Sequence, residues 1–407
     1  FFLRYIFGHE NFRDGQYQAI RRFMERKDSI ILLPTGAGKS IIYQLASFLV
    51  PGMTIVISPL ISLIEDQINN LDLKCGINNA HSIVSAVTEA DKLRKEEALR
   101  LMKHNATCML YIAPERLQIP QFRNNAMAMM RNNNVFAVAI DEAHCVSEWG
   151  HDFRPAYLNI GNSARNLFKK NERVPVLVAL TGTASEAVLS DIQRDLNIVG
   201  RNATITPPTF DRPELKFSVE QCDSQDKALM IANLIKNKLP KRFNCTYDSF
   251  IKLDDKNTNA GIVFTPYATS KNPGQYDAAS LHQKLTDMLP EVSIASYFSK
   301  VPDGYDDITW KTTIRENARR FKKDELNLLV ATKAFGMGID KENIRYVVHD
   351  GIPTSFEQYY QEAGRAGRDR KNAECVLLFS DDNATLNAEM LNPALELKDL
   401  TEKYSEY

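Results

Sequence analysis

The feature that most restricts the fold of this 407-residue chain is the segment Leu32–Ser40, which reads LLPTGAGKS. A short apolar strand enters a loop that contains Gly36 and Gly38, and a helix is expected to begin near Lys39. Glycines allow backbone N–H groups to wrap around phosphate oxygens, and the N-terminus of the helix adds partial positive charge. The residues predicted to form this cradle are Thr35, Gly36, Ala37, Gly38, Lys39 and Ser40.

The loop carries two side chains with defined chemistry. Lys39 would reach the β- and γ-phosphates of ATP, and Ser40 would hold Mg²⁺. Leu33 stands where the fuller pattern G-x-x-x-x-G-K-[ST] has glycine, so the sequence has the shorter T-G-x-G-K-S form. The alternative is a glycine-rich turn with a chance lysine, and the strand before and helix after it argue against that.

A second motif, Val135–His144, reads VFAVAIDEAH and places two carboxylates at the end of an apolar strand. The carboxyl ends of parallel strands form the edge at which open α/β sheets bind ligands. We expect Asp141 to orient Mg²⁺ and Glu142 to polarise the attacking water. An acidic pair is more often a solvated surface feature, but not after a buried strand in a chain that also carries the phosphate loop.

Short apolar strands alternate with helical stretches along the chain, which predicts an α/β fold of two tandem domains with parallel sheets. The crowded prolines of Thr204–Pro213 mark the expected boundary between them. We predict domain 1 over residues 1–208, domain 2 over 209–380 and a charged, helical C-terminal segment over 381–407. Two polar stretches, Lys238–Asn259 and Ser299–Thr313, are interpreted as surface insertions able to meet a protein partner.

Composition says more about the cellular location of this chain than about its activity. The net charge of -1 neither supports nor excludes a nucleic-acid partner, because many motors bind DNA in a local groove. No apolar run approaches the roughly 20 residues of a membrane span, and no signal peptide is visible, so we expect a cytoplasmic or nuclear protein without a membrane partner. The six cysteines lack C-x-x-C spacing, which argues against a zinc site.

The stretch Asp141–Tyr157, DEAHCVSEWGHDFRPAY, resembles the aromatic-rich loop of RecQ-type helicases of superfamily 2. The resemblance is collinear from Leu3 to about Phe379. It implies that the two domains are tandem RecA-like P-loop domains with parallel sheets, with an ATP site in the cleft between them. It also implies ATP and Mg²⁺ as cofactors, and single-stranded and junction DNA as substrate. The residues it assigns to DNA contact or coupling in this loop are His144, Trp149, His151, Phe153 and Arg154. Aromatic faces stack on unpaired bases of any sequence, which suits that assignment.

Other first-domain segments resemble the family in turn. Phe7–Gln16 is similar to its adenine-binding motif, with Gln16 pairing to the base edge and Arg13 stacking on it. Ser58–Gln67, SPLISLIEDQ, is similar to a motif that touches the DNA backbone, and offers Ser58 and Ser62. Thr181–Ser185, TGTAS, resembles the motif that links hydrolysis to DNA, with Gly182 where the family usually has alanine.

Two second-domain segments complete the resemblance. Ala331–Asp340, ATKAFGMGID, implies DNA contact by Thr332 and nucleotide contact by Gly338 and Asp340. Gln361–Asp369, QEAGRAGRD, places Arg365 and Arg368 three residues apart, and a helix would put them on one face. In this role Arg368 would be the arginine finger and Arg365 its partner on phosphate, while Gln361 would orient water or nucleotide.

Three functions compete on the sequence alone: a DNA helicase or translocase moving 3′ to 5′ by resemblance, an ATP-dependent switch that remodels a protein on nucleic acid, and an RNA-directed ATPase. The aromatic-rich loop favours DNA. RecQ proteins commonly carry a four-cysteine zinc module and a winged-helix domain after the motor, and no cysteine follows Cys375 here. We therefore expect a motor core without those modules, either truncated or divergent.

Overall fold

A computed structural model describes most of the chain. The described residues are 1–407 except 84–92, 94–95, 97–99, 102–106, 125–133, 148–153, 201, 255–256, 269–276, 303, 336–340 and 383–407. The chain divides into two compact units. The first contains Phe1–Arg212 and Thr354–Gly364, and the second contains Pro213–Gly336, Lys341–Pro353 and the chain from Arg365.

The first unit is built on a parallel seven-stranded sheet with helices on both faces. Its strands are β1 (Ser29–Leu32), β2 (Met53–Ile57), β3 (Ala80–Ile83), β4 (Met109–Ile112), β5 (Val135–Ile140), β6 (Val176–Thr181) and β7 (Thr204–Ile205), in the order β3-β4-β2-β5-β6-β1-β7. Its helices are α1 (Phe2–Phe7), α2 (Gln16–Met24), α3 (Lys39–Leu49), α4 (Ile61–Cys75), α5 (Ile160–Leu167) and α6 (Glu186–Asp195). Short 3₁₀ turns lie at Pro114–Gln118, Ala143–Val146 and Pro155–Tyr157.

The inner strands of this sheet are mostly apolar and fully buried because both faces of the sheet are covered. In β1, Ile30 packs into one core and its neighbour Ile31 into the other, as alternation along a strand requires. The strand β7 lies inside the proline-crowded stretch, and its Thr204 and Ile205 pair with Ile30 and Ile31. The first sheet therefore extends to within a few residues of Arg212, where the first unit's long continuous segment ends.

The second unit contains a parallel six-stranded sheet. Its strands are β8 (Leu215–Gln221), β9 (Ala260–Phe264), β10 (Ile294–Tyr297), β11 (Leu328–Ala331), β12 (Ile344–His349) and β13 (Ala373–Phe379), in the order β10-β11-β9-β12-β13-β8. The helices of this part of the chain are α7 (Lys227–Asn233), α8 (Leu239–Arg242), α9 (Tyr247–Phe250), α10 (Ala278–Met288), α11 (Asp307–Lys322) and α12 (Phe356–Ala363), the last grouped with the first unit. A π-helical turn, Leu234–Lys238, joins α7 to α8, and 3₁₀ turns lie at Ser224–Asp226 and Lys333–Phe335.

The two stretches interpreted as surface insertions differ from that expectation where the structure describes them. Phe250, in the first, is 1% exposed, and Trp310, in the second, is 4% exposed, and both belong to the core of the second unit. The indole N–H of Trp310 donates to the carbonyl of Phe298 at 3.0 Å. The first stretch contains the short helices α8 and α9, and the second contains the start of the 16-residue helix α11, so both stretches contribute side chains to the core as well as to the surface.

Two strands of the second sheet have unusual surroundings. Gly261 in β9 lies beside the ring of Tyr346 in β12, and a Cβ built on this glycine would come within 2.0 Å of the ring. At the other side of the sheet, β8 pairs with β13, and Phe217 and Val219 are 50% and 66% exposed on it. Among the described residues, no helix is long and apolar enough to cross a membrane.

Candidate functional site

The loop between β1 and α3 has the backbone that the sequence predicts. Gly36 and Gly38 have left-handed φ angles of 80° and 74°, a conformation that glycine adopts without steric cost. Gly38 caps α3, and Lys39 is the first residue of that helix. The first-turn N–H groups of α3 therefore lie at the end of this loop, as a phosphate site requires.

Leu33 and Lys39 explain how the loop is anchored. Leu33 is fully buried in the core that covers one face of the sheet, so a leucine here stabilises the start of the loop by burying its side chain. The Lys39 Nζ atom donates to the Leu33 carbonyl at 3.2 Å. A Cβ at Gly182 would lie 3.2 Å from both this Nζ and the hydroxyl of Thr35, so the glycine leaves the lysine head uncrowded.

Gln16 and Arg13, from the start of α2, also hold this loop. The Gln16 amide, 2% exposed, donates from Nε2 to the carbonyls of Ala37 and Gly38 at 2.9 and 3.0 Å. Its Oε1 accepts from the Arg13 backbone N–H at 2.9 Å, which uses one of the two lone pairs on that oxygen. The Arg13 guanidinium donates to the Gly36 carbonyl. Both residues of the expected adenine motif thus contact the phosphate loop directly.

The acidic pair follows β5 at the carboxyl edge of the same sheet. Asp141 is 7% exposed, and burial together with the neighbouring Glu142 carboxylate raises its pKa to about 7, while Lys39 opposes the rise. Glu142 has a left-handed backbone with φ 48° and ψ 50°, which is uncommon for a residue with a side chain. The two adjacent carboxyl groups therefore lie in a tight turn directly after the end of β5.

The oxygen-rich set at this edge suits a hard divalent cation. Mg²⁺ is bound in proteins by one or two carboxylates, hydroxyl groups and substrate phosphates. Asp141 and Ser40 supply donors of that kind, and a cation beside the Asp141 carboxyl would offset the repulsion from Glu142 that favours protonation. Among the described residues, no group of three or more histidine, cysteine or acidic side chains could hold a metal ion.

His144 links the acidic turn to the end of β6. Its Nδ1 lies 3.0 Å from the Thr181 hydroxyl, and that hydroxyl donates to the Thr183 carbonyl at 2.9 Å. Because the hydroxyl proton is used in this way, Nδ1 carries the proton and donates to Thr181. Nδ1 also lies 3.5 Å from Oε2 of Glu142. Two expected coupling residues, His144 and Thr181, therefore lie in contact beside Glu142.

The described end of the aromatic-rich loop is tied back to the sheet. The Arg154 guanidinium donates to the Pro59 carbonyl at 2.9 Å, and the Tyr157 hydroxyl donates to the Asp141 carbonyl at 3.1 Å. Arg154 is thus bound to the segment that precedes α4. The expected base-stacking and coupling residues of this loop, Trp149, His151 and Phe153, lie outside the described residues.

The two serines expected to touch a DNA backbone differ in exposure. Ser58 is 2% exposed, and its hydroxyl has no hydrogen-bond partner among the described residues. Ser62, in the first turn of α4, is exposed. As the structure stands, Ser62 is the serine that a ligand on the surface can reach.

The second-domain residues divide between described and undescribed segments. Thr332 follows β11 and is 6% exposed, whereas Gly338 and Asp340 lie outside the described residues. Gln361, in α12, is 6% exposed. The expectation that one helix carries Arg365 and Arg368 was wrong: α12 ends at Ala363, and Gly367 has a left-handed φ of 60°, so both arginines lie in the turns that follow.

Two residues at the phosphate loop were not anticipated. Arg212 is 5% exposed and donates to the Thr35 carbonyl at 2.8 Å. Gln67, in α4, donates from Nε2 to the Ser40 hydroxyl at 2.9 Å. Gln67 closes the segment that resembles the backbone-contacting motif, but a polar residue in a helix does not identify its partner, and Arg212 lies in a stretch without any motif.

Comparison with protein families matches two profiles along this chain. Residues 13–192 match the DEAD/DEAH box helicase family, and residues 246–370 match the helicase conserved C-terminal domain. The first range contains the phosphate loop and the acidic pair, and the second contains Arg365 and Arg368.

Curated relatives extend the similarity over most of the chain. The chain is 40% identical over 379 residues to the ATP-dependent DNA helicase RecQ of Bacillus subtilis, covering 93% of this chain and 55% of the relative. It is 34% identical to RecQ of Haemophilus influenzae (93% and 52%) and 33% identical to the ATP-dependent DNA helicase Q1 of Mus musculus (93% and 52%). The chain thus spans about half the length of the curated relatives it matches.

Solved structures share the architecture at low sequence identity. The DEAD-box helicase Mss116 bound to single-stranded RNA superposes with a TM-score of 0.68 at 17% identity, covering 94% of this chain and 73% of that one. The DUF1998 helicase MrfA bound to DNA superposes with a TM-score of 0.65 at 16% identity, covering 92% and 48%. These similarities establish the tandem RecA-like fold.

Proposed function

Because this chain belongs to the RecQ-like helicases of superfamily 2, we propose that it hydrolyses ATP to ADP and phosphate inside the cell. The energy of hydrolysis drives movement along single-stranded DNA and the separation of duplex DNA. The observation that carries the proposal is the meeting of the phosphate loop, the acidic pair and the His144–Thr181 contact at one edge of the first sheet. The phosphate loop and the acidic pair are needed for ATP hydrolysis. The contact between His144 and Thr181 is a route by which DNA binding can affect that hydrolysis.

Hydrolysis is assigned to residues of the acidic turn and the loop. The Lys39 ammonium, which donates to the Leu33 carbonyl in this structure, would neutralise the β- and γ-phosphates, and Ser40 and Asp141 would hold Mg²⁺. When bound, Mg²⁺ polarises the phosphoryl oxygens and neutralises the charge that develops there. Glu142 orients the attacking water and takes its proton, and the His144 imidazole, which is bound to Thr181, lies beside the Glu142 carboxylate at 3.5 Å.

The adenine contacts follow from the unused capacity of Gln16. One lone pair on its Oε1 accepts from the Arg13 N–H, so the second can accept from the exocyclic amine of adenine. The Gln16 Nε2 group stays on the phosphate loop. In this role Gln16 makes the loop conformation sensitive to which base is bound, and Arg13 stacks on the base.

The family resemblance assigns the remaining roles. Arg368 stabilises the charge on the γ-phosphate, Arg365 binds phosphate beside it, and Gln361 orients water or nucleotide. Gly338 and Asp340 contribute to the nucleotide site as well. DNA contact and coupling are assigned to Ser58, Ser62, Trp149, His151, Phe153, Arg154 and Thr332. Stacking on aromatic rings is worth about 1–3 kcal/mol per base and is indifferent to sequence.

The decisive experiment measures ATP hydrolysis with and without single-stranded DNA for the wild type and Glu142→Gln. Loss of a positioned general base costs about 10²–10⁴-fold, so we expect DNA-stimulated hydrolysis that falls by that factor in the variant. Glu172→Gln is the matched control, because Glu172 is exposed and has a similar left-handed φ of 63°. It should hydrolyse ATP at the wild-type rate.

The nucleic acid and the direction of movement are tested with the same protein. We expect unwinding of a partial duplex with a 3′ single-stranded tail and not of one with a 5′ tail. Hydrolysis stimulated by RNA but not by DNA would instead establish an RNA-directed ATPase, and hydrolysis indifferent to both would point to a protein activator.

A further inference from the structure

The hydroxyl of Ser40 has a specific partner outside the phosphate loop. Gln67 donates to it from Nε2 at 2.9 Å, across 27 residues of sequence. Gln67 lies in α4, which begins at Ile61, whereas Ser40 lies in the first turn of α3. The side chain assigned to Mg²⁺ is therefore hydrogen-bonded to a helix other than its own.

Gln67 is itself held in one orientation. Its Oε1 accepts from the Gln44 amide at 2.7 Å, and Gln44 is 4% exposed on the buried side of α3. The Gln44 amide also donates to the Tyr111 hydroxyl at 3.3 Å. Since the Gln67 carbonyl is occupied by a donor, its amino group is the one directed at Ser40.

This orientation decides what the Ser40 oxygen can still do. A serine hydroxyl has one proton to donate and two acceptor positions, and the Gln67 N–H occupies one of these. The second acceptor position remains available for a cation. A hydroxyl fixed by one donor loses little rotational freedom when it binds a metal, which is how outer partners raise the affinity of metal ligands.

We propose that Gln67 is a positioning residue for the metal-holding hydroxyl of Ser40, oriented for this role by Gln44. The inference rests on the proposed nucleotide site, since it concerns the Mg²⁺ that accompanies the nucleotide there. It assigns a function in the nucleotide cycle to the end of the segment Ser58–Gln67, whose first residues are assigned to DNA contact.

The test measures binding of a fluorescent ADP analogue, N-methylanthraniloyl-ADP, in Mg²⁺ and in EDTA. The quantity of interest is the dissociation constant in EDTA divided by the dissociation constant in Mg²⁺. This ratio reports the contribution of the metal to binding without any turnover. Gln67→Met keeps the unbranched length of the side chain and removes the donor. Loss of an outer partner typically costs about 10–100-fold in metal affinity, so we expect the ratio to fall at least about tenfold, with the constant in EDTA unchanged.

The matched control is Asn69→Met, which places the same side chain on the exposed face of the same helix. It should keep the wild-type ratio. Gln67→Ala, measured beside Gln67→Met, should show the same fall, and it keeps the test valid if methionine disturbs the packing of α4.

The outcomes separate the two proposals. Wild-type protein that binds the analogue equally well in Mg²⁺ and EDTA would overturn the assigned metal site and this inference with it. Mg²⁺-dependent binding in the wild type with an unchanged ratio in both Gln67 variants would overturn the role of Gln67 alone. Equal weakening in Mg²⁺ and EDTA would mean that Gln67 merely supports the fold, and would also overturn it.

Discussion

Gly261 provides the sharpest stability prediction, because its neighbour leaves no room for even one carbon atom. A Cβ at this position would lie 2.0, 2.1 and 2.5 Å from three ring atoms of Tyr346. Carbon atoms pack at about 3.5–4.0 Å, so the ring must move by roughly 1.5 Å. Tyr346 is 1% exposed and its ring centroid lies 5.7 Å from that of Phe250, so this movement displaces other core side chains.

We expect Gly261→Ala to lower the free energy of unfolding of the second unit by about 3 kcal/mol or more, at the upper end of the roughly 1–3 kcal/mol typical of overpacked cores. Tyr346→Ala should cost about 3–5 kcal/mol through the lost ring. The double variant should cost no more than Tyr346→Ala alone, because the clash disappears with the ring. The two substitutions would then be coupled by about 3 kcal/mol.

The assay uses tryptophan fluorescence during denaturant unfolding. The chain has two tryptophans, so a Trp149→Phe background leaves Trp310, buried in the second core, as the reporter. All four proteins of the cycle are compared in that background. Costs of the two single variants that simply add in the double variant would refute the explanation, as would a Gly261→Ala protein as stable as its parent.

Two further predictions concern buried charges. Burial raises the pKa of Asp350 to about 6, although Lys227, whose Nζ lies 3.2 Å away, opposes the rise. Because the folded protein then binds this proton more tightly than the unfolded chain does, the stability of the wild type relative to Asp350→Asn should fall as the pH rises from about 4 to 6 and should level off above that. An equal difference in stability at about pH 4.5 and pH 7 would contradict this. Lys341 and Asp324 form a 2.7 Å ion pair, and their side chains are 2% and 8% exposed. Lys341→Met should lower the free energy of unfolding by about 3–5 kcal/mol in the Trp310 assay, and adding Asp324→Asn should restore at least half of that loss. If the second substitution restores no stability, the unpaired carboxylate is not the cause of the loss.

The sequence predicted those strands whose residues are mostly apolar and are followed by turn residues. The strand before Gly36 and the strand before Asp141 are short apolar runs that end in turn residues, and both were found where expected. The strands β3 and β10, which read AHSI and IASY, were missed because their polar residues break the apolar pattern. Their place in the sheets comes from pairing with β4 and β11, which no local pattern encodes.

Side-chain partners in the site were predictable only where a motif fixes them. The phosphate loop and the acidic pair follow from residue type and spacing, and the contact between His144 and Thr181 brings together two residues that a resemblance had assigned separately. The bond from Gln67 to Ser40 depends on how α4 packs against α3, which is a tertiary property. The end of α12 at Ala363 shows where spacing alone misleads. Arg365 and Arg368 are spaced as on one helical face, but the glycines beside them favour turns, and the helix ends before either arginine.

The position of β8 affects how this chain behaves at high concentration. In the part of the chain that the structure describes, β8 is the last strand of its sheet and pairs with β13, and an edge strand can template pairing with another molecule. Phe217 and Val219 add exposed apolar surface to that edge, while Lys216 interrupts it with a charge. Protein–protein association through this strand would lengthen the sheet from molecule to molecule, and raised salt, which screens the lysine, would favour such aggregation.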